Sequence, residues 1–298
     1  MRRLAEIQIR DPFLVCEDQV YYLFGSTDKD IWHGPGVGFD VYRGSRPGEF
    51  TSFEGPFPAF RPPAGFWSTT NFWAPEVHAH HGAFFMFASF QPVHGRRGTA
   101  VLRSERVMGP YVPWSEGPVT PPEWECLDGT FFVDVDARPW MVFCHEWTQV
   151  GDGQVCAMPM DATLRRACGA PRVLFTASQA PWAAPLRDRA PGSYVTDGPY
   201  VVRHPSGALL ILWSSFGVDG KYCIGVARSR SGVLDGPWTQ SDQPLYEADG
   251  GHGMVFAGPD SRLFLAIHTP NSTPDERPVF IGLRTTEDGL AVTGEIFA

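Results

Sequence analysis

The sequence predicts an all-β fold, a five-bladed β-propeller. Three observations carry this: a strand–turn–strand unit recurs five times, turn-forming residues punctuate each copy, and no stretch holds a helical period over several turns. Gly (32) and Pro (28) suit many short strands joined by turns, and 22 Phe with 10 Trp can fill a large core. A chain of 298 residues lies within the range that all-β folds span as one unit, so residues 1–298 are read as one domain.

The first copy holds apolar strands at residues 11–15, 20–26 and 38–42, and the second at 74–77, 83–90 and 99–104. Copies three to five repeat the order from Asp128, Asp197 and His252, so the unit recurs about every sixty residues, as four-stranded blades with long connections would. Fourth strands are visible at Tyr111–Trp114 and Trp238–Gln240, each behind a Gly-Pro turn (Gly109-Pro110, Gly236-Pro237). No linker marks a domain boundary.

The net charge of −9 excludes the basic footprint of a nucleic-acid or anionic-membrane binder, and a hydroxyl-rich neutral ligand suits the chain better. Met1–Glu6 is followed by no apolar run, so neither a secretory leader nor a membrane span is expected and a cytoplasmic location is the reading. Six scattered cysteines without C-x-x-C spacing are expected to be buried thiols.

Inner strands of a propeller line its axis, so the residues opening them, Asp11, Ala74, Asp128, Asp197 and His252, are expected to face one another. Turn chemistry explains any one of these acids equally well. Three together form a like-charge cluster that a ligand, proton or cation must resolve. Two carboxylates roughly 6.5–9.5 Å apart, one protonated and one ionised, are what an inverting glycosidase needs. The second strands return to the same face and add a ring containing Ser26, Ser89, His145-Glu146-Trp147, Ser214 and His268, joined by Phe72 and Trp73. Its aromatics and hydrogen-bonding groups suit sugar faces and hydroxyls, although blade packing explains any single aromatic as well.

Arg10-Asp11-Pro12-Phe13, Phe72-Trp73-Ala74-Pro75-Glu76-Val77, Leu127-Asp128-Gly129 and Asp197-Gly198-Pro199-Tyr200, at successive blade starts, resemble glycoside hydrolase family 43 over nearly the whole chain. The resemblance implies Asp11 as general base, Asp128 as the acid that tunes the proton donor, and Asp197 as that donor. It departs at Asp197, where the family has Glu, and at Gly129, where it commonly has Pro. It implies an inverting, exo-acting hydrolase of oligosaccharides, an α-L-arabinofuranosidase or β-D-xylosidase, with no cofactor needed for chemistry. A structural calcium or other cation held in the channel by His252 is also implied.

Phe72, Trp73, His145, Glu146, Ser214, His268 and Arg277 are the expected substrate-binding residues. Glu146 stays open as a longer alternative donor, its other reading being a rim glutamate that pairs with Arg277 or a sugar. Competing functions are a catalytically weak glycan-binding propeller, an endo-arabinanase and a galactosidase. Phosphorolysis is disfavoured because no Arg/Lys cluster accompanies the axial acids.

Overall fold

The computed structural model describes residues 1–298, and its five antiparallel sheets form the blades of a five-bladed propeller. Blade 1 comprises Arg10–Glu17, Val20–Ser26, Phe39–Gly44 and Ser52–Phe60, with Arg2–Arg3 added to its outer edge. Blade 2 comprises Ser68–His80, Ala83–Pro92, Gly98–Ser104 and Val112–Pro113. Blade 3 runs through Cys126–Val133, Pro139–His145, Gln154–Pro159 and Arg172–Thr176, and blade 4 through Asp197–Arg203, Leu209–Phe216, Tyr222–Ser229 and Trp238–Gln240. Blade 5 is Gly251–Ala257, Leu263–Thr269, Arg277–Thr285 and Leu290–Phe297.

Second strands are the most apolar because both of their faces meet neighbouring blades: every residue of Val20–Ser26 is buried, as are Ala83 to Phe90. Outer strands at Ser52–Phe60, Arg172–Thr176 and Leu290–Phe297 carry no clear apolar period and were not expected from the sequence. Ser52–Phe60 contains Pro56 and Pro58, which an outer strand tolerates, and Leu290–Phe297 is interrupted by Gly294 at φ 84°. Four cysteines are buried as expected, but Cys16 and Cys168 are exposed, and all six are free.

Blade 5 takes all its strands from the C-terminal end of the chain, so side chains alone close the ring. The Phe50 ring of blade 1 meets Tyr21, Phe256, Phe264, Phe280 and Phe297 at centroid distances of 5.1–6.2 Å. Tyr21 Oη donates to the Ala257 carbonyl at 2.8 Å.

Each inner strand carries a bulge near its start, where the register shifts between Arg10/Phe13, Trp73/Glu76, Leu127/Thr130, Asp197/Tyr200 and Gly251/Met254. The bulged residues are left-handed: Asp11 (φ 54°), Ala74 (46°), Asp128 (56°), Gly198 (52°) and His252 (51°). The expected axial ring is therefore corrected at blade 4, where Gly198 takes the equivalent place and Asp197 lies one residue earlier, level with Arg10.

Phe50→Ala should destabilise the protein by about 3–5 kcal/mol, the usual cost of emptying a buried aromatic site. Urea denaturation checks this, with a fall in midpoint at unchanged slope expected.

Candidate active site

The bulge re-aims side chains toward the axis, and a left-handed residue costs of order 1–3 kcal/mol unless its surroundings hold it. Here they do. In four of the five blades the amide of the bulged residue meets a side chain near the end of the preceding blade's second strand: Ala74 N donates to Ser26 Oγ (2.8 Å), Asp128 N to Ser89 Oγ (2.8 Å), His252 N to Ser214 Oγ (2.9 Å) and Asp11 N to His268 Nδ1 (3.2 Å). The equivalent position before blade 4 is Cys144, paired with Leu127 as Ser26 is with Arg10. The Gly198 amide instead donates to Asp128 Oδ2 at 3.0 Å.

His252 Nδ1 lies 3.2 Å from Asp11 Oδ1 and 3.7 Å from Asp128 Oδ2. Its ring explains the glycine at 198, since a Cβ there would sit 2.7 Å from His252 Cγ. Asp197 accepts a hydrogen bond at Oδ2 from Tyr222 Oη at 2.9 Å. Asp11 Oδ2 accepts one from Ser26 Oγ at 2.6 Å.

Burial pushes every carboxylate here upward, and the neighbours sort them. For Asp11, the His252 cation first, then Arg10 and the Ser26 hydroxyl, outweigh burial and hold it below the ordinary value. Asp128 stays raised: burial dominates, His252 opposes it, and Asp197 and Asp11 add to the rise. Asp197 is raised by burial first, against the Tyr222 hydrogen bond and His252, with Glu146 and Asp11 adding to the rise. His252 is disfavoured as a cation by burial, yet Asp11, Asp128, Glu76 and Asp197 together hold it above its ordinary value. His268 goes the other way, pushed down to about 3 by burial and Arg10. As a neutral ring it accepts the Asp11 amide at Nδ1 and donates from Nε2 to Asn271 Oδ1 (3.2 Å).

These residues open into a cavity of about 490 Å³. Asp11, Asp128, Asp197, His252, Trp73 and Glu146 line it, as the sequence led one to expect. Five expected substrate contacts do not. Phe72 is 1% exposed and packs among Phe39, Phe60, Phe66 and Phe90, because along the inner strand it points opposite to Trp73. His145 stacks on Trp124 at 4.1 Å and bonds Gln149 and Gln154. Ser214 and His268 are fully buried and spend themselves on the bulge amides. Arg277 is tied to the carbonyls of Ala5, Pro274 and Glu276.

Glu146 pairs with Arg97, not Arg277, and Arg97 lies 4.6 Å over the Trp73 ring. Tyr222, Trp32 and the wall at residues 186–189 also line the cavity and were missed, and that wall sets Arg187 and Arg189 in the cavity of the axial acids, where no Arg/Lys cluster was expected. Tyr222 could have been found as the residue that opens blade 4's third strand opposite Phe216. Trp32 sits on a loop closed by Val37 N donating to Asp28 (3.0 Å), a contact without sequence signature.

The residues present give no support to the implied channel cation. No group of three or more His, Cys, Asp or Glu could hold a metal ion, and His252 Nδ1 faces Asp11 and Asp128 as their counter-charge.

The family model for glycosyl hydrolases family 43 matches residues 4–289. Among solved structures, an endo-arabinase from Bacteroides thetaiotaomicron VPI-5482 is 34% identical, with 96% of this chain and 98% of that one covered and a TM-score of 0.88. A thermostable family-43 glycoside hydrolase is 24% identical (98% and 94% covered, TM-score 0.78). An α-L-arabinofuranosidase from Lactobacillus brevis is 18% identical (96% and 93% covered, TM-score 0.75). The latter two are likenesses of fold. A comparison with curated proteins gives no match.

A buried carboxyl whose pKa is raised on folding contributes stability below its unfolded value and loses it as pH rises. For Asp197 that loss begins near 3.8 and runs upward. Asp197→Asn, which mimics the protonated form, should therefore raise Tm at pH 8 and leave it nearly unchanged at pH 4. Thermal scans at both pH values check it; an equal shift at both would contradict the sign.

Proposed function

Because the chain belongs to glycosyl hydrolases family 43, and is thereby an inverting glycoside hydrolase, we propose that Asp11 is the general base and Asp197 the proton donor of an α-L-arabinofuranoside-directed enzyme. The observation that carries the assignment is the sorting of the axial carboxyls in one cavity: Asp11 is held ionised while Asp197 and Asp128 are both pushed toward their protonated forms, and of these two Asp128 is committed through Oδ2 to the Gly198 amide. Asp11 takes a proton from a water attacking the anomeric carbon. Asp197 gives its proton to the departing glycosidic oxygen, and the product leaves with inverted configuration. Asp128 acts through position: its Oδ2 holds the Gly198 amide and so the backbone that carries Asp197. Glu146, committed to Arg97, is a poor donor and serves to hold Arg97 over the Trp73 ring. Hydrolysis in this family needs no cofactor.

The preference for arabinose is supported by the 34% identical endo-arabinase. That relative also favours a second reading, internal cleavage of an arabinan chain over release of single sugars from its end. Early product sizes decide it. Arabinose as the sole early product supports the exo reading, and a ladder of oligosaccharides supports internal cleavage.

Asp11→Asn keeps the left-handed backbone, which Asn tolerates, and should cost about 10²–10⁴-fold in kcat. Asp197→Asn should fail on alkyl arabinosides yet retain much of its rate on activated aryl ones, because a good leaving group needs no proton. If Glu146→Gln shows that dependence instead, the donor is Glu146.

Tyr222→Phe removes a hydrogen bond that favours ionised Asp197. Its pKa then rises, so the alkaline limb of the kcat profile should move to higher pH, and a downward move would count against Asp197 as donor.

A further inference from the structure

Residues 180–196, which connect blade 3 to blade 4, form one wall of the cavity and are tied to both blades. Ala184 N donates to Phe216 O (2.8 Å), Tyr194 N to Gly151 O (3.0 Å) and Leu186 N to Ser193 O (2.8 Å). The wall is therefore anchored at both ends, and residues 187–192 form the exposed turn between the anchors. Two of its side chains lining the cavity are Arg187 and Arg189. Most arginines of this acidic chain have a carboxylate within 4.0 Å, for instance Arg97, Arg172 and Arg262, but neither of these does. Arg187 is anchored by one nitrogen, with Nη2 donating to Val218 O at 2.8 Å, and Arg189 lies 5.8 Å from the Trp147 ring. Asp188, between them, lines the same cavity and pairs with neither. A chain of net charge −9 repels anions unless cations are placed locally.

We propose that Arg187 and Arg189 form an accessory subsite for a carboxylate-bearing sugar, so that the glycan processed at the axial acids carries uronic acid residues beside the sugar released. The guanidinium fork matches a carboxylate, and the neighbouring Trp147 offers a face for the ring that bears it. This rests on the glycoside-hydrolase reading above, but its test needs no turnover.

The experiment titrates the full-length Asp11→Asn chain, which should bind without cleaving, with digalacturonic acid and with its methyl ester, by calorimetry at low and high salt. The acid should bind about tenfold more tightly than the ester at low salt, and the difference should shrink as salt is raised. Adding Arg187→Gln and Arg189→Gln should bring the two affinities together by weakening the acid more than the ester. The Lys replacements, which keep charge and lose the fork, should retain part of the preference and control for folding. Equal binding of acid and ester by the parent would overturn the proposal. So would an equal loss for both ligands in the Gln variant, or competition by sulfate as strong as that by the acid. A chain that keeps the preference for acid yet cleaves no arabinoside would refute the preceding assignment and not this one.

Discussion

The hydrogen bond from each bulged amide to a side chain of the preceding blade is the constraint on which the rest depends. It does three things at one point. It joins adjacent blades near the axis, it compensates the left-handed backbone, and it aims the bulged side chain into the channel. Without it, Asp11, Asp128 and His252 would have no reason to hold a costly conformation and meet. At the junction of blades 3 and 4 the acceptor is not the residue closing the preceding blade's second strand, which there is Cys144, but the carboxylate of Asp128. The same contact that finishes the architecture thus binds one acid of the site to the backbone of another.

Charge is the second constraint. Three carboxyls within one buried cluster cannot all ionise cheaply, and His252 offsets only part of the repulsion. Below them, Glu76 is 4% exposed and its Oε2 lies 3.1 Å from His78 Nε2, adding a further negative charge that favours the His252 cation. The cluster resolves as one ionised acid, one cation and two acids pushed toward protonation. Such an arrangement stores free energy that a purely structural core would release, and a site that must both accept and deliver a proton requires it.

The fold was legible because a blade's second strand is buried on both faces and so writes a continuous apolar run, five times over. Outer strands were half legible: Trp238–Gln240 follows a clear turn signal, whereas Arg172–Thr176 and Leu290–Phe297 pack one face weakly and leave little pattern. Asp11, Asp128 and His252 could be read from their blade positions. Asp197 was placed in the same ring by its blade position, and its offset was hidden, since nothing in Asp197-Gly198 says which residue takes the left-handed place until His252 is seen against Gly198. The second ring failed for a related reason. Strand alternation decides which of two adjacent residues faces the channel, and a shift of one turns Phe72 into core and Ser214 into a bulge acceptor.

That offset bears on how an aspartate can stand where the family has glutamate. Asp197 is not at the bulge but one residue before it, level with Arg10 and Trp73, both of which line the cavity. Its backbone is fixed through Gly198 by Asp128, and its carboxyl is met by Tyr222, whose ring fits closely because residue 251 is glycine: a Cβ there would lie 2.2 Å from Tyr222 Cε1. A glutamate would carry its carboxyl one methylene further and away from that hydroxyl. In the proposed reading the lost reach is compensated by preorganisation, since a short acid held from both its backbone and its carboxyl has fewer ways to miss the leaving oxygen than a longer one free to turn.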